Sequence, residues 1–417
     1  MRTSSRCMFC ALSIFVCVAF IFYSYDVESG RLKMRIQNPS IATDTITALD
    51  HRTFIIAPYY EPRLGRSVRV IAIIHVSVTE LYCFFHCSAD EIVFTRAEID
   101  FHRDSFGFPY GTADLLCAEP SGCDYTYMSF SKSTNINQNL LFEVRNRPPQ
   151  PISNNFTVCI STLYGNYDNV LQMVQHIEMY KILGASRVTM YNTSCSRDVD
   201  KVLRHYIDEG TLEVVSWPID RHLQTSKEWQ YSKGLSSEIS YFGQTATLND
   251  CLYRNMYTSK FVLLNDIDEI IIPVKDWDWS SLMESLQNEH PDTSVFRFEN
   301  HVFPTLVNAS GFDLWPHLPG VNILHHSVRE PIKWKFWNGR KMIVNPRDVF
   351  QTSIHSALKY RGESKNIAQD MAITFHCTHE WRNDITAEKL IPDNILRRHN
   401  VSLVPNVNKV IQRLFPQ

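Results

Sequence analysis

The sequence predicts an α/β fold: a mainly parallel sheet flanked by helices, preceded by a small β-rich subdomain and an N-terminal transmembrane anchor. Strand-like and helix-like apolar patterns alternate between residues 156 and 265, as a helix-covered parallel sheet requires. Short β-rich runs broken by glycine and proline fill residues 68–142. One long uncharged run, Cys7 to Tyr25, stands near the amino terminus. The composition agrees, since 417 residues with 44% hydrophobic and 20% charged side chains suit one or two packed domains rather than a disordered or fibrous chain. Lys+Arg 41 against Asp+Glu 44 give a net charge of −3 with no basic stripe, which argues against a nucleic-acid partner. The 14 glycines form no phosphate-cradling loop and no GxGxxG after a strand, which argues against P-loop and Rossmann enzymes.

At about 1.5 Å per residue, Cys7 to Tyr25 nearly crosses a hydrocarbon layer of roughly 30 Å. Arg2 and Arg6 precede it and Asp26 and Glu28 follow, so residues 1–6 are expected in the cytosol and the body in the lumen, a single-pass arrangement. A cleaved signal peptide is the alternative, but the bulky end at Phe22, Tyr23 and Tyr25 favours an uncleaved anchor. Residues 26–65 read as a polar stem and 66–147 as a β-rich lumenal subdomain. Pro148, Pro149 and Pro151 suit neither a helix nor a central strand and mark a boundary near residue 150.

The last unit is expected over 153–400. It opens with a buried strand at 156–160, followed by a helix carrying Val170, Met173, Val174, Ile177 and Tyr180 at helical spacing and ending at Gly184. A strand at 187–191 follows, then a helix capped by Asp198 and stopped by Gly210, a strand at 212–215, a helix over 246–257 and a strand at 261–264. The sequons at Asn155, Asn192, Asn308 and Asn400 are candidate glycosylation sites. Eight cysteines lie beyond the anchor, enough for complete pairing in an oxidising lumen by any of 105 connectivities. Cys83 and Cys87 with nearby histidines raise the alternative of zinc, but lacking a second matched pair they are expected as disulfides or buried thiols.

The chemistry is expected where Phe261-Val-Leu-Leu runs into Asn265-Asp-Ile-Asp-Glu269 and then Ile270-Ile-Ile-Pro273. Ligands bind open α/β sheets beyond the carboxyl ends of the strands, and carboxylates packed this closely repel unless a cation or solvent compensates. Asp266 and Asp268 can hold a divalent cation that keeps positions for water and phosphate oxygens; the plain alternative is a solvated acidic turn. Lys333, Lys335, Arg340 and Lys341, interleaved with Trp334, Phe336 and Trp337, can neutralise a pyrophosphate and stack on sugars, or form a solvated face over buried rings. No GxSxG or HExxH supports hydrolase chemistry on proteins.

From Phe156 to about Glu380 the chain resembles glycosyltransferase family 92. The resemblance rests on Tyr180-Lys-Ile-Leu-Gly184, Met190-Tyr191, Asn249-Asp-Cys251, Leu264-Asn-Asp-Ile-Asp-Glu-Ile-Ile-Ile-Pro273, and Lys341-Met-Ile-Val-Asn-Pro346 leading to His355. It implies a GT-A-like fold, a UDP-sugar donor, a divalent metal, expected as manganese, and inverting transfer to a glycan acceptor in the Golgi, with β-galactosyl transfer among characterised relatives. It further implies that Asp266 faces the donor ribose and the metal, that Asp268 ligates the metal and that His355 completes the metal shell; Lys341, from the basic-aromatic segment, is expected to bind the donor. An inverting transfer needs a base for the acceptor hydroxyl, and Glu299 and Asp313 are its candidates. The chain departs from the family near its end, with His376-Cys377-Thr378 where a His-Tyr-Arg-like element is expected. A membrane-anchored carbohydrate-binding or scaffold protein that has lost turnover is the competing reading.

Overall fold

The computed structural model describes residues 29–33, 38–87, 91–135, 140–147, 151–234, 236–305, 314–332, 338–378, 382 and 385–416. Cys7 to Tyr25 lies outside them, and no helix among the described residues is long and apolar enough to cross a membrane.

The first unit is a β-sandwich. One sheet has six strands and includes Tyr82–Cys87 and Tyr125–Ser131; the other has five, in the order Thr47–Asp50, Thr53–Glu61, Ser67–His75, Tyr110–Ala118 and Glu98–Phe101. The period of two explains why the 67–75 strand is apolar without a break. Val68, Val70, Ala72 and Ile74 face the sandwich interior, whereas Ile71 and Ile73 pack on the second unit. Residues 26–65 are therefore not a stem throughout: Thr53–Glu61 is buried at all but one position, because Phe54 and Ile56 face the second unit while Ile55 faces the sandwich core. Disulfides Cys83–Cys117 and Cys87–Cys123 pin the sandwich, which replaces the zinc alternative.

The second unit holds a seven-stranded sheet. Its strands include β1 (Asn154–Leu163), β2 (Ala185–Asn192), β3 (Leu212–Ser216) and β4 (Ser259–Asn265), mutually parallel in the order β3-β2-β1-β4. A small sheet joins β5 (Glu269–Pro273) and β6 (Asn300–Pro304) to the two sides of the strand Ala372–Thr378. The large sheet continues beyond β4 through β7 (Lys341–Val344), which is antiparallel to it, so the sheet is mixed rather than uniformly parallel. Helices α1 (Val170–Leu183) and α2 (Arg197–Glu209) end at Gly184 and Gly210 with φ of 109° and 84°, the left-handed caps for which glycine is suited. Ser196, not Asp198, caps α2, its side chain accepting from the Val199 amide. Helix α3 (Gln244–Arg254) is tied to β1 by the Cys159–Cys251 disulfide. Cys195 and Cys377 are free thiols, so pairing is incomplete.

Candidate active site

The predicted acidic turn lies at the carboxyl end of β4, beside the centre of the large sheet. The Glu269 amide donates to the Asp266 carbonyl at 3.2 Å, closing the turn, and the Cys377 amide donates to the Asp268 carbonyl at 2.9 Å. Behind it, the Tyr180 hydroxyl of α1 donates to the Glu269 carbonyl at 2.8 Å. The turn is thus held from the sheet and from a buried helix.

Topology brings the counter-charges. Because β7 runs against β4, its first residue, Lys341, stands at β4's carboxyl end. Its buried ammonium lies 2.7 Å from Asp266 Oδ2 and 3.0 Å from Glu269 Oε2. Burial disfavours that charge, but Asp266 and Glu269 hold the ammonium above its ordinary range. Asp266 Oδ1 accepts from Gln244 Nε2 at 2.6 Å and Ser161 Oγ at 3.2 Å. Asp268 faces a different cation, with His376 Nε2 3.3 Å from its Oδ2. Burial pulls the His376 imidazole down, but its bond to Asp268 prevails and raises it to about 9. Burial pushes Glu269 up, against the pull of Lys341. Asn300 Nδ2, at the start of β6, donates to Glu269 Oε1 at 3.1 Å.

The candidate set divides accordingly. Asp266, Asp268 and Lys341 meet at one place, but the histidine bonded to Asp268 is His376. His355 Nδ1 is 3.3 Å from the Arg340 carbonyl, and burial, aided by Lys341, lowers its imidazole to about 4. Glu299 precedes β6, where its carbonyl accepts from the Thr374 amide at 2.8 Å. Asp313, Asn308 and residues 333–337 lie outside the described residues. Asn155 is exposed, whereas Asn192 and Asn400 are only partly so. The amide nitrogen of Asn192 is 3.3 Å from Cys195 Sγ.

Ser161, Gln244 and Asn300 were not legible as site residues because nothing in their local sequence points to Asp266 or Glu269. His376 carried a partial signal, a polar residue near the end of an apolar strand. As a test for a metal, Asp268 offers a carboxylate oxygen and His376, once it gives up the proton that Asp268 holds on it, an adjacent imidazole nitrogen, donors a divalent cation accepts. Asp266 fits that role less well, since both its oxygens already accept hydrogen bonds from the chain. Among the described residues no group of three or more His, Cys, Asp or Glu side chains forms a metal-holding cluster.

An α/β domain with acidic residues at a central strand's end, docked on a β-sandwich, defines the class in structural terms. The family model for glycosyltransferase family 92 matches residues 154–409, and the chain belongs to that family. Glycosyltransferase family 92 protein F13G3.3 of Caenorhabditis elegans is 30% identical over 219 residues, covering 51% of this chain and 39% of that protein. Beta-1,4-galactosyltransferase galt-1 of C. elegans is 23% identical over 342 residues, covering 78% of this chain and 73% of that protein. The S. aureus TarS structure in complex with UDP-GlcNAc aligns with a TM-score of 0.29 at 11% identity, over 62% of this chain and 71% of that one.

Proposed function

We propose that the chain is a metal-dependent, inverting glycosyltransferase of GT-A type that moves a sugar, with galactose the first to test, from a UDP-sugar to a glycan acceptor. The acidic turn after β4, within the matched region, is the observation that carries this reading. The name of galt-1 supports galactose as the starting choice. Manganese held by Asp268 and His376 would supply a Lewis acid for the departing diphosphate. Asp266, oriented by Ser161 and Gln244, faces the donor nucleoside, and Lys341 offsets the carboxylate charge there. Glu299 or Asp313 takes the acceptor proton. The three disulfides, the exposed Asn155 and the apolar Cys7 to Tyr25 run support a Golgi lumenal body on a single membrane span.

Calorimetry of UDP binding with manganese and with chelator, followed by turnover on a panel of UDP-sugars, tests the reading. Binding only with manganese, and product of inverted anomeric configuration, are expected. A retained configuration overturns the mechanism. One observation favours the competing, carbohydrate-binding reading: Lys341 already neutralises Asp266 and Glu269 from within the fold. Absence of UDP binding in both conditions, together with no turnover on any donor, moves the weight there.

A further inference from the structure

The segment between β3 and α3 leaves the second unit and touches the sandwich. Its base is closed, since the Glu238 amide donates to the Gln224 carbonyl at 2.7 Å and the Ser226 amide to the Ile239 carbonyl at 3.0 Å. Its outer part carries Trp229, 57% exposed, and Tyr231, 37% exposed, among the exposed polar residues Lys227, Glu228, Gln230 and Lys233. Large rings in such a setting need a support, and the sandwich supplies it. Phe106 meets Trp229 edge-on with centroids 5.8 Å apart, Phe108 meets Tyr231 at 5.5 Å, and the Tyr231 amide donates to the Phe106 carbonyl at 3.0 Å. Phe106 and Gly107 are left-handed, with φ of 53° and 83°. A bulky residue adopts that conformation at a cost, borne where the surroundings impose it.

The same segment leads into the acidic site. Ser240 Oγ donates to the Trp229 carbonyl at 3.0 Å. Tyr241, Phe242 and Gly243 follow with φ of 34°, 54° and 70°, so two aromatic residues are held in the left-handed region. The hydroxyl of Tyr241 is 3.0 Å from that of Tyr164, and Tyr164 stacks on Phe242 at 4.2 Å. The next residue, Gln244, donates to Asp266. The backbone of Trp229 is thus tied through Ser240, and along the chain through Tyr241, Phe242 and Gly243, to the residue that bonds Asp266.

We propose that Trp229 and Tyr231, buttressed by Phe106 and Phe108 of the sandwich, form the platform on which a pyranose ring of the glycan acceptor stacks. A pyranose has an apolar C–H face and a hydroxyl rim, which matches exposed rings set among polar side chains. A protein partner is the poorer fit, because a stable protein interface takes roughly 20–30 residues a side, whereas the exposed rings are two on one short segment of polar neighbours. The proposal rests on the transferase reading for its acceptor, while the stacking itself is tested separately.

The test uses the full chain, wild type and Trp229→Ala, with Trp229→Phe as the conservative variant. Binding to a printed array of neutral glycans identifies the probe glycan, whose affinity is then measured beside that of UDP with manganese. The expected result is a loss of at least about tenfold in glycan affinity for Trp229→Ala, of the size found when an aromatic anchor covered in a complex is truncated, with partial recovery in Trp229→Phe and unchanged UDP affinity. Equal glycan affinity in wild type and Trp229→Ala overturns the platform, as does a wild type that binds no glycan. Loss of UDP affinity in Trp229→Ala overturns it too, by showing a general disturbance of the fold. A wild type that binds glycan through Trp229 but never binds UDP sustains the platform and removes the transferase reading.

Discussion

Lys341 and His376 divide the acidic turn between them, and each can be removed with a different outcome. Lys341→Met leaves Asp266 and Glu269 facing each other without their ammonium, and breaking a buried pair in this way costs about 3–5 kcal/mol. A urea titration followed by tryptophan fluorescence should show that loss. Asp268 is partly exposed and bonded to one histidine, so Asp268→Asn is expected to change stability by less than about 1 kcal/mol. Its effect falls on ligand binding: in manganese its UDP affinity should drop to the value that wild type shows in chelator. Equal affinities of the two proteins in manganese would mean that the acidic cluster is only a turn.

Among the elements, helices α1 and α3 both hold the site from outside the turn. Tyr180→Phe on α1 deletes only the hydroxyl that reaches the Glu269 carbonyl, and about 1–2 kcal/mol of stability should go with it, measurable by thermal unfolding. Helix α3 is joined to β1 by Cys159–Cys251, a closure of 92 residues that chain entropy values at about 4–5 kcal/mol. Replacing both cysteines by alanine should therefore lower the urea midpoint and loosen Gln244 and Ser161 together, with UDP affinity falling alongside. Periodicity predicted α1, α2 and both glycine caps because these depend on neighbours within a turn. It put the α2 cap two residues late, since Ser196 and Asp198 are both competent cap residues and only the backbone path selects one.

At the scale of the whole molecule, the sandwich and the second unit each keep a core of their own and share a third hydrophobic cluster and a buried polar seam. Arg63 Nη1 donates to the Val349 carbonyl at 2.9 Å, and Gln351 Nε2 donates to Asp114 at 2.8 Å. Tyr59 of the sandwich donates to Asp250 of α3 at 2.6 Å. The two units should unfold in a single transition, with tryptophan fluorescence and far-ultraviolet dichroism coincident in urea. The seam also sets the acid limit. Burial alone would raise Asp114 and Asp250, but His102 and Arg69 beside the first, and Arg254 and Arg145 beside the second, hold both below the ordinary carboxylate range. A depressed carboxylate contributes stability above its unfolded value of about 3.9 and loses it as pH falls through the folded value. Asp114→Asn should accordingly destabilise the protein more at pH 7 than at pH 3, as compared by urea midpoints.

The sequence by itself determined the alternation of strands and helices, the acidic turn after β4 and the family, because apolar periodicity and short motifs are written within a few neighbouring residues. Thr53–Glu61 reads from sequence as part of a stem, since a strand covered on both faces lacks the alternation that marks a half-exposed strand. Only the tertiary structure decided that Lys341 meets Asp266, that His376 meets Asp268, and that Trp229 rests on Phe106. These pairs are 75, 108 and 123 residues apart, and what joins them is strand order and domain docking. Local sequence encodes neither, because both follow from how the completed faces pack.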